Sequence, residues 1–191
     1  MRTFTLDTNC IIDVAEERPA APHVRALVAA HSTRCADVAL VAASASERQR
    51  AGDYLNSLEV FNQRRTDHGL GDLQLLPSLA RWNVSFFNHA LWGGEPERQR
   101  ETEVFSALFP NSIIDWATEA QRCGVTCDSE ASAAYRSWRN KILDAQAYWA
   151  HEHAERDFFV TSDANFARRL HDHPQFPDAT IMTPERAIVE L

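Results

Sequence analysis

The chain has 191 residues, 45% of them hydrophobic and 24% charged, values near the globular average that predict one sizeable core and a single main domain over residues 1–191. No apolar run is long enough to cross a bilayer as a helix, which argues against a membrane protein. A net charge of −8 argues against a protein that coats nucleic acid through neutralised phosphates, yet leaves room for a nuclease whose acids are gathered in one place.

In chain order, "TFTLD" alternates and is β-branched, so a strand is predicted. "TNCIIDVAEERP" then turns into a helix that Pro19 ends or interrupts. Asp7 stands at that junction. "ADVALVAAS", Ala36 to Ser44, reads as a second buried strand. The stretch "ASERQRAGDYLNSLEVFNQRR" follows as a helix, with Ser46 suited to its cap and Glu47 to its first turn.

Between residues 66 and 122 the periodicity blurs into an inserted, mainly helical segment. There "LQLLP" suits a short strand, and "ARWNVSFFNHALW" and "ETEVFSALF" suit helices. "GVTC" reads as another short strand, with Asp128 placed to cap "SEASAAYRSWR". "KILDAQAYWAHEHAER" follows as a further helix with Asp144 near its start. On it Asp144, Ala147, Tyr148 and His151 share one face. "DFFVTSDANFARRL" repeats the opening arrangement, a strand over Phe158 to Thr161 and then Asp163 at the mouth of a helix. "ATIMTPERAIVEL" closes with a strand and a short helix begun by Pro184.

Strands alternating with helices predict an α/β fold in which parallel strands leave their C-terminal ends along one edge. Asp7, Glu47 and Asp163 fall on that edge, and Asp144 can join them. Hard divalent cations prefer oxygen ligands, and carboxylates forced together repel until cations neutralise them.

The strand-end "LDTN", the Glu after the second strand, the late-helix Asp and the "VTSDANF" ending together resemble the PIN-domain family, over roughly Met1 to Gln63 and Gly124 to Leu191. The resemblance implies a three-layer α/β/α fold with a central twisted parallel sheet. It also implies a site of Asp7, Glu47, Asp144 and Asp163 binding Mg²⁺ or Mn²⁺. The activity implied is endoribonucleolytic hydrolysis of RNA that leaves a 5′-phosphate and a 3′-hydroxyl. Glu59 competes with Glu47 for the second position. Thr8, Asn9, Thr161 and Ser162 are expected to orient the carboxylates without adding charge. A toxin with an antitoxin partner, a stand-alone nuclease and a homodimer are all compatible with the resemblance.

Each acid also has a plainer reading: Asp7 and Asp163 as helix caps, Glu47 as a helix-dipole partner, Asp144 as a solvated residue. Arg48, Arg50, Arg168 and Arg169 are candidates for phosphate contacts, against a default of solvated helix faces. Trp82, Phe86, Phe87 and Trp92 are candidates for base stacking, against a default of core. His151 and His153 lie at a spacing that rules out a zincin motif and read as surface histidines. "HDH" at His171 to His173 reads as a loop.

Cys10, Cys35, Cys123 and Cys127 read as reduced, buried thiols, since the first strand candidate leaves no room for a secretory leader and predicts a cytoplasmic setting. Two competing functions are a non-catalytic PIN-like nucleic-acid-binding or scaffold protein, and a phosphatase of the haloacid-dehalogenase type. The latter needs a second acid where Asn9 stands.

Overall fold

A computed structural model of the chain describes residues 1–46, 57–82, 84–127 and 132–191. Glu47, Arg48, Arg50 and Asp128 lie outside the described residues, as does the side chain of Phe87. The chain opens with β1 (Arg2–Leu6), α1 (Thr8–Ala15), α2 (Ala21–Ser32) and β2 (Ala36–Val41), then a 3₁₀ turn over Ala42–Ser46. Next come α3 (Leu58–Asp67), β3 (Gln74–Leu76), β4 (Ser78–Leu79), β5 (Ala90–Leu91), α4 (Glu95–Leu108) and α5 (Trp116–Arg122). The chain ends with α6 (Ala133–His153), β6 (Phe158–Val160), α7 (Ala164–Leu170), β7 (Ile181–Met182) and α8 (Pro184–Ala187).

Five strands form a parallel sheet in the order β3-β2-β1-β6-β7. Parallel pairing requires crossovers, and here helices supply them on both faces. The two faces separate by strand alternation. Val38, Leu40, Phe4, Leu6 and Val160 point into a core shared with Ile11, Val14, Val24 and Leu27 of α1 and α2. Ala39, Val41, Phe159 and Ile181 point the other way, against Val104 and Phe105 of α4, Ile142 and Trp149 of α6, and Phe166 of α7. The result is a mixed α/β protein with helices above and below one parallel sheet.

Several local expectations are corrected. Within residues 66–122, β3 joins the main sheet by pairing with β2, Leu40 against Leu75. "ARWNVSFFNHALW" forms no α-helix among its described residues. It holds a 3₁₀ turn, Phe87–His89, and β5, which pairs in parallel with β4 to make a separate two-stranded sheet. "GVTC" is not a strand. The chain leaves α5 through Gly124 at φ +69°, a left-handed turn that suits glycine.

The two helices expected around residues 130–156 are one, α6, whose cap is Ser132 accepting from the Tyr135 amide at 3.0 Å. Asp144 therefore lies within a long helix rather than near the start of one. Of the four thiols, only Cys10 is buried; Cys35, Cys123 and Cys127 are exposed and all are free.

His151 is also corrected, from surface to core. It is 4% exposed and shares a 3.0 Å hydrogen bond with Thr5 Oγ1 of β1. Burial pushes its pKa down to about 3, and the nearby Arg156 guanidinium adds to the effect. His153, one turn-half later, is exposed.

The neutral imidazole has a consequence for stability. An unfolded histidine takes up a proton below about pH 6.5 while His151 does not, so its contribution is complete above that pH and is lost as pH falls towards 3. The melting temperature of the wild-type protein should therefore fall more steeply below about pH 6.5 than that of His151→Gln, by calorimetry across pH. Parallel slopes would contradict a buried neutral imidazole.

Candidate functional site at the β1 and β6 strand ends

The strand order runs outward from β1 to one side and resumes with β6 on the other, so the adjoining ends of β1 and β6 mark the switch point where open α/β sheets form a crevice. The ladder extends past the last strand residues. Asp7 N–H donates to Val160 O at 2.9 Å. That bond sets Asp7 beside Thr161 although the two are 154 positions apart in the chain.

Asp7 is 1% exposed. Its Oδ1 accepts from the Thr8 amide at 2.8 Å, and its Oδ2 accepts from Asn9 Nδ2 at 3.0 Å and Thr161 Oγ1 at 2.7 Å. A carboxylate has about four acceptor directions, so one remains open, on Oδ1. Desolvation raises the Asp7 pKa above the ordinary aspartate value. The hydrogen bonds from Thr161, Asn9 and Thr8 oppose the rise, and the Asp163 charge adds to it. Among the described residues Asp7 forms no ion pair. It is a buried acid held in place by neutral donors.

Asp163 begins α7, with Oδ1 accepting from the Asn165 amide at 2.8 Å, while its own amide donates to Thr161 Oγ1 at 3.0 Å. The Thr161 hydroxyl thus accepts from one acid's backbone and donates to the other acid's side chain. This fixes its proton towards Asp7 and couples the two residues through a single oxygen. The plainer reading also holds in the geometry, since Asp7 caps α1 and Asp163 caps α7.

Asp144 is half-buried on α6. It stands seven residues, roughly 10 Å, before His151, which touches Thr5. A helix that crosses back to start a parallel strand runs opposite to it, so Asp144 is carried towards the strand ends. Asp7 lies two residues, roughly 7 Å, beyond Thr5 in that same direction. No group of three or more His, Cys, Asp or Glu side chains stands at metal-holding distances among the described residues; Glu47 lies outside them.

Of the remaining expected residues, Asn9 and Thr161 contact Asp7 directly, but Thr8 and Ser162 use their hydroxyls elsewhere. Thr8 Oγ1 donates to the buried Ser44 hydroxyl at 2.6 Å, tying α1 to the end of β2. Ser162 Oγ donates to Asp13 Oδ2 at 2.6 Å. Asp13, 3% exposed on α1 with Arg18 at 3.7 Å, is a buried acid that the sequence reading does not single out. Its signal was present, a lone carboxylate inside the apolar run "CIIDV". Arg168 and Arg169 occupy the last turn of α7, at the end away from Asp163, where a cation also complements the helix dipole. Arg168 Nη2 donates to Asn165 Oδ1 at 2.7 Å.

No family model matches the sequence, and no curated protein or solved structure matches it.

The sign of the Asp7 shift gives a test that needs no substrate. A carboxyl whose pKa is raised on folding stabilises the fold fully below its unfolded value near 3.8, and that contribution is lost as pH rises through the folded value. At pH 7 in a chelator, Asp7→Asn should therefore raise the melting temperature, with the gain shrinking as the pH approaches 4. A variant less stable than the parent at pH 7 would show that the carboxylate is net stabilising.

Proposed function

We propose that this protein is a PIN-like, metal-dependent endoribonuclease that hydrolyses RNA phosphodiester bonds at the C-terminal edge of its parallel sheet. The observation that carries the reading is the Asp7 carboxylate, buried and oriented by three donors beside a second acid, with no cation paired to it among the described residues. Mg²⁺ or Mn²⁺ fits this donor set, because the groups present are carboxylate and hydroxyl oxygens rather than thiols or imidazoles. In this reading Asp7 and Asp163 hold the cation with Asp144 and Glu47. Such a cation supplies an activated water and neutralises charge on the leaving oxygen.

The chain's own groups do the positioning. Thr161 and Asn9 hold Asp7 Oδ2 so that the open direction of Oδ1 is constant, and the Thr8 amide fixes the carboxylate plane. The cap on α7 holds Asp163 in turn. A toxin restrained by an antitoxin protein is one setting for such an enzyme, and a homodimer is a compatible assembly.

A second reading is a PIN-like binding or scaffold protein without turnover, favoured by the fact that both acids serve as helix caps and so have a structural reason to be present. The two are separated by incubating labelled single-stranded RNA and DNA with purified protein in Mg²⁺, Mn²⁺ or EDTA. Cleavage should require the metal and prefer RNA. Thr161→Val should lower the rate by roughly 10–100-fold, the usual cost of losing a group that orients a ligand, and Asp7→Asn by more. An Asp7→Asn protein as fast as the parent would sink the nuclease reading, and metal binding without cleavage would favour the scaffold.

A further inference from the structure

The segment after β3 builds a second feature that the acid cluster does not use. A groove of about 610 Å³, within the range of small-ligand sites, is lined by Leu79, Arg81, Trp82, Trp92, Arg98 and Glu101 among others. Trp82 is 91% exposed and Trp92 83% exposed. Two indoles left in water on one rim are costly unless something covers them. Among the described residues neither stacks on another ring.

The floor of the groove is built rather than incidental. Glu101, 3% exposed, pairs with Arg81 (Nη2 to Oε2, 2.7 Å) and accepts from Gln146 Nε2 of α6 at 3.1 Å. Gln146 Nε2 also donates to Leu79 O at 2.9 Å, so α6 is a common wall between the groove and the sheet. Ser46 Oγ, at the end of the turn that follows β2, donates to Val84 O and ties the same segment to the strand-end edge. Gly93 makes the rim possible: a Cβ there would lie 2.3 Å from Leu79 Cδ1 and 2.7 Å from Glu97 Cβ, so only glycine lets the chain beside Trp92 pass this close.

We propose that this groove binds unpaired bases of a single-stranded nucleic acid, stacking them on Trp82 and Trp92 while Arg98 meets the backbone. The proposal deepens the nuclease reading and rests on it for the class of ligand. Charge supports that choice: two arginines against one glutamate line the groove of a chain whose net charge is −8. Arg98 is exposed and pairs with no carboxylate among the described residues. Stacking on indole accepts any base but needs it unpaired, so duplexes are poor ligands.

The test is binding of fluorescein-labelled oligouridylate and oligoadenylate by anisotropy, in EDTA so that no cleavage occurs, with indole fluorescence as a second readout. Trp82→Ala and Trp92→Ala should each weaken binding by roughly 5–150-fold, the range of one lost base stack. Arg98→Ala should reduce the slope of log affinity against log salt by about 0.7. A duplex of the same length should bind more weakly. The proposal is overturned if the parent binds neither oligonucleotide, if both tryptophan variants bind as tightly as the parent, or if duplex competes equally. It is also overturned if the double tryptophan variant converts a dimer to a monomer with oligonucleotide binding unchanged, which would make a second copy the occupant. Tryptophan-dependent binding without metal-dependent cleavage would leave the groove standing and remove the nuclease. Asp7-dependent cleavage indifferent to both tryptophans would do the reverse.

Discussion

The parallel pairing of β1 with β6 is the constraint on which the site depends. The two strands share register from Phe4 against Phe158 to Leu6 against Val160, and the Asp7 amide continues the ladder onto Val160 O. Parallel strands bring like ends together, so the first acid of the chain and the "TSD" turn meet at one edge. At the opposite end Arg156 reaches Asp37 and the Phe4 carbonyl, and Asp157 accepts from the Thr3 amide. Both ends of β1 are therefore clamped to its neighbours, and the acid end has little freedom to move.

Rigidity at that edge is maintained at an electrostatic cost. Asp7 is desolvated and repelled by Asp163, and only neutral donors offset this among the described residues. Cores tolerate such a group when removing it would forfeit function, and they hold it with hydrogen bonds that are worth more in a low-dielectric interior than in water. His151 lies on the opposite side of that balance. It is kept neutral by the same burial and is used to fasten α6 to β1 through Thr5. One helix thus anchors the sheet with a buried imidazole and carries Asp144 seven residues earlier.

The segment between β3 and α6 gives the protein a second surface. Its small sheet of β4 and β5, the α4 helix and the Arg81–Glu101–Gln146 contacts are fastened to α6, so the exposed tryptophans are presented from a fixed support rather than from a free loop. In the nuclease reading, an aromatic platform on this segment would separate two tasks that conflict electrostatically, since acids that gather cations repel the phosphates a polyanion brings.

How much of this was legible in the sequence depends on whether the signal was local. Alternation in "TFTL" and the apolar run "ADVALV" sufficed for β1 and β2, and a polar residue at a strand-to-helix junction sufficed to place Asp7 and Asp163. Those signals are carried by backbone periodicity and by capping, which act over a few residues. The segment "ARWNVSFFNHALW" was misread because near-helical spacing of aromatics has the same period whether it faces a core or solvent, and pairing with residues 78–79 decided otherwise. His151 reads as a surface residue in the sequence because nothing in "HEHAERD" records that Thr5 packs on it. Asp13 and Ser44 went unnoticed because their partners, Ser162 and Thr8, lie 149 and 36 positions away. By itself the sequence determined the class of fold, the order of its first and last strands and the acids at their ends, since those follow from local pattern. Only the tertiary structure decided which acids are buried, which hydroxyls orient them and which tryptophans stay in water, because burial and hydrogen bonding are set by neighbours distant in the chain.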